Sequence, residues 1–183
     1  NNLTVLAESD AVITAHAWAA SISATSGAAG LSISGAGADA LNVIRGNVDA
    51  YILDSHLVVE GDVSVKSTQS SEIDSTIWAA AGSFSASAST SLGLAIGTAT
   101  ASNYVGFSDD GEQIEAFRVS AYVKNSALDV LGNLALLADM SAVIDATVAA
   151  GSVAVSGGSL SGNVAAAGSG VENKISTQVQ AYL

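Results

Sequence analysis

N-V-I-R-G-N-V-D-A-Y-I-L-D-S-H-L-V-V-E-G-D-V-S-V, residues 42–65, is the stretch from which the fold is read. Pieces of it return twice. Ala50-Tyr51-Ile52 reappears as Ala121-Tyr122-Val123 and as Ala181-Tyr182-Leu183, and Gly61-Asp62-Val63-Ser64-Val65 reappears as Gly132-Asn133-Leu134-Ala135-Leu136. A chain made of copies is first of all a repeat architecture, in which each unit buries its apolar face against the next.

Outward from this stretch the period is two. Ala40, Asn42, Ile44, Gly46, Val48, Ala50 and Ile52 fall on one face, and Arg45, Asn47, Asp49 and Tyr51 on the other. That alternation belongs to a strand. Leu3, Val5 and Ala7 alternate in the same way. Residues 15–24 are alanine-rich enough to suggest a helix, but their counterparts hold Thr147, Val148 and the run Gly151-Ser152-Val153-Ala154-Val155, so a strand is expected throughout. Ser26, Gly27 and Gly30 mark a turn.

The copies register as residues 1–52, 53–123 and 124–183. Leu3 to Ile52 maps onto Leu134 to Leu183 without a gap. The middle copy is longer, and most of the excess falls in residues 106–117, which contain Asp109-Asp110-Gly111-Glu112. This reads as an insertion loop that leaves the scaffold and returns. Gly61 to Gly82 and Gly132 to Gly151 suggest coils of about twenty residues, three to a unit. The expected fold is therefore all-β: one repetitive β-solenoid domain, a parallel β-helix, over residues 1–183. The alternative is a stack of long antiparallel strands, which the thirteen-residue alternation from Ala40 to Ile52 keeps open. No proline interrupts any ladder. The phase at Leu3 and at Leu183 suggests a slice of a longer solenoid.

Composition excludes several function classes. Five basic against seventeen acidic residues give a net charge of −12, which disfavours nucleic acid and repels an anionic membrane. No apolar run is long and uninterrupted enough to predict membrane insertion. Without cysteine there is neither a disulfide framework nor thiolate chemistry.

Units of the type A-Y-I-x-x-S-x-x-x-x-x-G-D-V-x-V, followed by Ala/Gly/Ser alternation and an Asn, resemble repeats of very large bacterial surface proteins. These are the filamentous-haemagglutinin-like and autotransporter-like adhesins. The residues that carry the resemblance are Ala50, Tyr51, Ile52, Ser55, Gly61, Asp62, Val63 and Val65, then Asn103. The second copy repeats it through Ala121, Tyr122, Ser126 and Gly132 to Asn173, departing at Asn133, where the pattern has Asp. The resemblance implies a structural segment of a bacterial extracellular adhesin, cell-surface fibre or filament. Such repeats carry geometry and no catalysis. Partners would be copies of itself or flanking repeats, and a host or neighbouring-cell surface. The alternative function is a polysaccharide-binding or polysaccharide-processing β-helix, which would gather carboxylates and a basic residue in one groove.

No residue pattern points to catalysis or to a bound cofactor. His16 and His56 fall at different phases of the repeat and make a zinc pair improbable. No serine elbow pairs with either. Asp109, Asp110 and Glu112 around Gly111 are the candidate calcium ligands, although no EF-hand spacing accompanies them and a solvated loop is the expected reading. Glu8, Asp10, Glu72, Asp74, Asp139 and Asp145 should form a stripe, which is first a solubility device. Trp18 and Trp78 read as packing residues, and Thr98-x-Thr100 is too isolated for an ice-binding face. The expected structural residues are Tyr51, Tyr122 and Tyr182, with Asn42, Asn103 and Asn173. Each Asn stands two residues before Ile44, Val105 or Ile175, so it should point inward and bond to backbone at a bend. Direct contact between the amides is expected only if each repeat is a single coil.

Overall fold

The computed structural model describes all 183 residues, and every regular element in it is a strand. In chain order these are β1 (Leu3–Ile44), β2 (Asn47–Leu53), β3 (His56–Val59), β4 (Val63–Val105), β5 (Phe117–Lys124), β6 (Ala127–Val130), β7 (Leu134–Gly157), β8 (Leu160–Ile175) and β9 (Thr177–Tyr182). They form three parallel sheets in a repetitive, solenoid-like arrangement. β4 lies between β1 on one side and β7 and β8 on the other, β5 between β2 and β9, and β3 pairs β6.

One repeat makes one coil. Leu3 pairs with Val63 and Val63 with Leu134, steps of 60 and 71 residues. The twenty-residue coil expected from glycine spacing is not formed. Gly61 and Gly132 stand at the corner before β4 and β7, whereas Gly82 and Gly151 lie within those strands, where they pair with Val153 and Ala80 rather than with each other. The antiparallel alternative is also overturned. Every ladder is parallel, and the single antiparallel bridge, Phe107 to Ile114, lies inside residues 106–116 between β4 and β5. The long alternation that suggested it runs through the end of β1, the corner at Arg45 and Gly46, and β2.

β1 bends back on itself. The ladder to β4 shifts by one residue between Gly27 and Ala29, and the two arms that meet there face each other. Across the gap Ser23 Oγ lies 2.6 Å from Ser32 Oγ, and Ser34 Oγ donates to the Ser21 carbonyl at 2.8 Å. Near this bend the arms approach so closely that only small side chains fit. The interior there is Ala36, Ala81 and Ala95, then Ile77, Ala79, Ala99 and Ala101. Gly97 belongs to the same seam. A Cβ at this position would sit 2.5 Å from the Gly151 carbonyl oxygen, so glycine is required by close approach.

The coil widens toward its other end, where β2 and β3 close it and larger residues fill it. One cluster holds Ile44, Val48, Ile73, Val105, Phe117 and Val119, and a second holds Ala50, Ile52, Val63, Val65, Ala121 and Val123. Fully burying a Val, Ile or Phe side chain contributes about 1.5–3 kcal/mol, so cohesion resides mostly at this wide end. The middle coil is the most deeply buried because it alone has a neighbour on both sides. Its Val63, Ile73 and Val105 are all fully buried.

Corners repeat as strictly as strands. Asp54 and Asn125, at the same corner of successive coils, have φ of 49° and 52°, a left-handed conformation that Asp and Asn tolerate. The serine that follows each caps the turn: Ser55 Oγ donates to the Leu53 carbonyl and Ser126 Oγ to that of Lys124. At the next corner a Cβ on Gly132 would lie 2.6 Å from the Gly61 carbonyl oxygen, which excludes any side chain. Asp62 Oδ1 accepts from the backbone N–H of Asn133 at 2.8 Å, and Asn2 Oδ1 accepts from that of Asp62 at 3.0 Å.

Candidate functional site

Strict register places like residues in columns along the coil axis. Asn42, Asn103 and Asn173 form one such column and point inward. They do not bond to backbone at a bend. Asn42 Nδ2 donates to Asn103 Oδ1 at 2.8 Å, and Asn103 Nδ2 donates to Asn173 Oδ1 at 2.8 Å. The reason is the single-coil repeat, which puts equivalent residues one strand spacing apart, within reach of a side-chain amide. Asn103 is fully buried, whereas Asn173 lies on the outermost coil and is exposed.

Tyr51, Tyr122 and Tyr182 form a second column, on the outer face of β2, β5 and β9. Ring centroids are 5.3 and 5.1 Å apart and the planes within 12° and 3° of parallel. Loss of hydration within this stack, with the negative charge of Asp49 nearby, raises the Tyr122 phenol above the usual tyrosine value. Burial of Asp49 works to raise its carboxyl. Hydrogen bonds from Asn47, Arg118 and Ser120, with the charge of Arg118, outweigh that and hold it low. Asp49 Oδ2 receives Asn47 Nδ2 at 2.7 Å and Arg118 Nη2 at 3.0 Å.

Residues 106–116 are tied to the scaffold by both charge and backbone. Gly106 N–H donates to the Ile44 carbonyl at 2.9 Å. Arg45 spans the loop, with Nη2 3.0 Å from Asp109 Oδ1 and Nη1 3.1 Å from Glu115 Oε2. Asp110 accepts from the Ser108 hydroxyl and from the Glu112 backbone N–H, and these bonds lower its pKa. The carboxylates of Asp109, Asp110 and Glu112 therefore do not converge: Asp109 faces Arg45 and Asp110 closes its own turn. No group of three or more His, Cys, Asp or Glu side chains comes together anywhere in the chain. Lys174 reaches over the loop from β8. It bonds the Gly111 carbonyl at 3.0 Å, pairs with Glu172 at 2.6 Å and sits 5.5 Å from the Tyr104 ring centroid. The Glu172 hydrogen bond raises the Lys174 pKa against some desolvation, and the same bond, with that from Tyr104 Oη, lowers that of Glu172.

The remaining candidates lie on open surfaces. Glu8, Asp10, Glu72, Asp74, Asp139 and Asp145 all project outward from the first arm and are exposed. His16 lies on that same outer face and His56 on β3. Trp18 and Trp78 stack at 5.8 Å on the outer face nearer the bend.

No protein-family model, curated protein or solved structure matches this chain. Its function is therefore argued from its own residues.

Sequence reading missed the cationic contacts. Arg45, Arg118 and Lys174 fall in columns with no cationic counterpart, and the chain has only five basic residues. A lone cation in an acidic repeat is the signal that could have found them. The polar hollow of about 490 Å³ between Arg45, Asn47, Glu115, Arg118 and Gln178 is lined by both arginines, yet each already faces a carboxylate.

Proposed function

We propose that this chain is a structural, non-catalytic segment of a bacterial extracellular adhesin, cell-surface fibre or filament, built as a single-coil parallel β-helix. The observation that carries the reading is the inward amide column Asn42, Asn103 and Asn173, each member hydrogen-bonded to the next. Its bonds run along the coil axis and join successive repeats. Such a column serves axial cohesion, which a shaft needs at every step. The stacked tyrosines and the paired corners at Asp62 and Asn133 act in the same direction. The acidic stripe keeps such a shaft hydrated. Copies of the repeat are its neighbours along the axis, and a host or neighbouring-cell surface its outside partner.

The test is a tandem array. Small-angle scattering from chains carrying one, two and three copies of residues 3–133 should give plates of constant cross-section that thicken along the coil axis. Their thickness should grow by about 4.8 Å per added coil. Array thickness that does not follow coil number, or depolymerisation of a polysaccharide by the purified chain, would overturn the proposal. Retardation in polysaccharide gels that vanishes on replacing Tyr122 would favour the glycan-binding alternative.

A further inference from the structure

Charge is confined to one part of the coil. Residues 11–38, 75–108 and 146–171 contain no Asp, Glu, Lys or Arg, so all seventeen acidic and five basic residues lie elsewhere. These three stretches stack on one another and make up the bend at Gly27 with most of both arms leading to it. The coil is thus a charged base carrying a thin uncharged blade.

Toward the tip of the blade polarity is inverted. On the first arm Trp18, Ala20, Ile22 and Ala24 point outward, while Ser21 and Ser23 point inward. On the second arm Leu31 and Ile33 point outward, while Ser32 and Ser34 are buried. The next coil repeats this with Trp78, Phe84, Leu92 and Ile96 outside and Ser83, Ser85 and Ser91 inside. The third has Val153, Val155 and Val164 outside. A strand with one face in water carries its hydroxyls outward and its aliphatic groups inward. Here each inward serine exchanged with its outward neighbour would restore that order, and the chain does the reverse in coil after coil. Trp18 and Ile22 are left 75% and 77% exposed. An apolar patch of this kind is an interaction surface.

Three observations select the occupant. Both outer faces of the blade are apolar, so a partner seated on one face would leave the other wet. Hydrocarbon would cover both, but the net charge of −12 repels an anionic bilayer surface. A copy of the same chain offers two matching faces. Its relief also fits: the column Ala20, Ala80 and Gly151 forms a trough beside Trp18 and Trp78, about 270 Å³ at its first two coils. Ridges of another copy, with the same strand rise and spacing, seat in it as in any sheet-on-sheet packing.

We propose that the blade is a lateral self-association surface through which copies of this chain pack face to face, with their acidic bases pointing away from one another. This does not depend on the chain belonging to a surface fibre. From Trp18 to Thr25 across three coils the first face measures roughly 26 Å by 14 Å, about 370 Å². A specific interface buries about 800 Å² per partner, so three coils associate weakly, and two faces per copy make the association open-ended.

Sedimentation equilibrium from about 10 μM to about 1 mM, in low salt and in about 1 M salt, tests this. The weight-average mass should climb from 18.0 kDa past twice that value, more steeply in high salt, which screens the acidic bases. Emission from Trp18 and Trp78 should shift to the blue over the same range. The double variant Ile22→Glu, Ile33→Glu should stay at monomer mass with an unchanged circular-dichroism spectrum, because both side chains are exposed. Val58→Glu, on β3 outside the blade, should associate like the parent. A monomer without a blue shift at every concentration would overturn the proposal, as would association that survives the double variant. So would a monomer that instead co-sediments with phosphatidylcholine vesicles, which would make lipid the occupant.

Discussion

Replacing Asn103 with alanine tests the amide column directly. Asn103 is fully buried and makes two side-chain bonds, accepting from Asn42 and donating to Asn173, each at 2.8 Å. Each is a net contribution of about 1 kcal/mol, and leaving the buried Asn42 amide without its acceptor adds about 1–3 kcal/mol. The expected loss is about 3–5 kcal/mol, or roughly 6–20 °C in melting temperature for a chain of this size. Asn42→Ala removes one bond and leaves the buried Asn103 acceptor unfilled, so it should cost about 2–4 kcal/mol, about one bond less. Urea and thermal unfolding followed by far-UV circular dichroism measure both. Asn103→Asp adds a sign. An ionised aspartate can accept from Asn42 but cannot donate to Asn173, and burial raises its pKa above the unfolded value. Folded protein then binds the proton more tightly than unfolded, so this variant should gain stability as pH falls toward its unfolded pKa, relative to the parent. Equal costs for Asn42→Ala and Asn103→Ala, or a cost below about 0.5 kcal/mol for the latter, would refute the column as a cohesive element.

Gly97→Ala should destabilise by about 1–3 kcal/mol through overpacking, because its Cβ would meet the Gly151 carbonyl at 2.5 Å; Gly168→Ala, whose Cβ would meet nothing within 4 Å, should be far milder in the same melts. The Glu172 and Lys174 pair should narrow the stable pH range when broken. Lowered in the folded state, Glu172 contributes above its unfolded value of 4.5 and loses that as pH falls through the folded value. Raised, Lys174 contributes below 10.5 and loses that as pH climbs through its folded value. Lys174→Met should therefore flatten both limbs of the melting temperature against pH. Deleting about ten residues of the 106–116 loop should leave a β-rich spectrum but lower the melting point measurably, since Arg45, Tyr104 and Lys174 all lose partners; an unmoved melt would show those contacts contribute nothing.

Strands were legible because alternation of side-chain size has only one geometric meaning, and it persists through residues 15–24 despite their alanine content. The corners were legible too, since Gly61-Asp62 and Gly132-Asn133 recur where coils must stack without side chains between them. The path of the coil was not. β1 reverses at Gly27, but its counterpart in β4 turns through Ser87, Ala88 and Ser89, where nothing but small size distinguishes bend from strand. Ser26, Gly27 and Gly30 mark that bend in the first coil; in the second it is set by the two arms closing on each other, a tertiary contact with no local signature. Taking Gly82 and Gly151 as the starts of new coils made one wide coil read as three narrow ones. The partner of each asparagine then followed from the wrong axial step, and the amide column was hidden for the same reason.

In-register stacking with one coil per repeat imposes a rule on every inward column: a side chain's axial neighbour is its own counterpart. A polar group there is satisfied along its own column or across to the facing arm, although Ser75 Oγ and Ser85 Oγ find no partner. Asparagine qualifies because its amide both donates and accepts, and successive copies join head to tail. Serine qualifies by turning its hydroxyl to the facing arm, as Ser83 does to the Ser32 carbonyl at 2.9 Å. A carboxylate does not, since two stacked in a dry column would repel with no donor between them. The acidic residues obey this. Asp74 and Asp145 are axial neighbours, but both face water, where salt screens them. Where Asp62 does stack at a corner, its neighbours are Asn2 and Asn133, and each contact has one donor and one acceptor. Asn133 adds its side-chain Nδ2 to the backbone donor, 3.2 Å from Asp62 Oδ1, whereas an aspartate there would keep the backbone bond but set two carboxylates about 4–5 Å apart, roughly one strand spacing. The exchange Asn133→Asp should weaken that corner at neutral pH and restore it in acid.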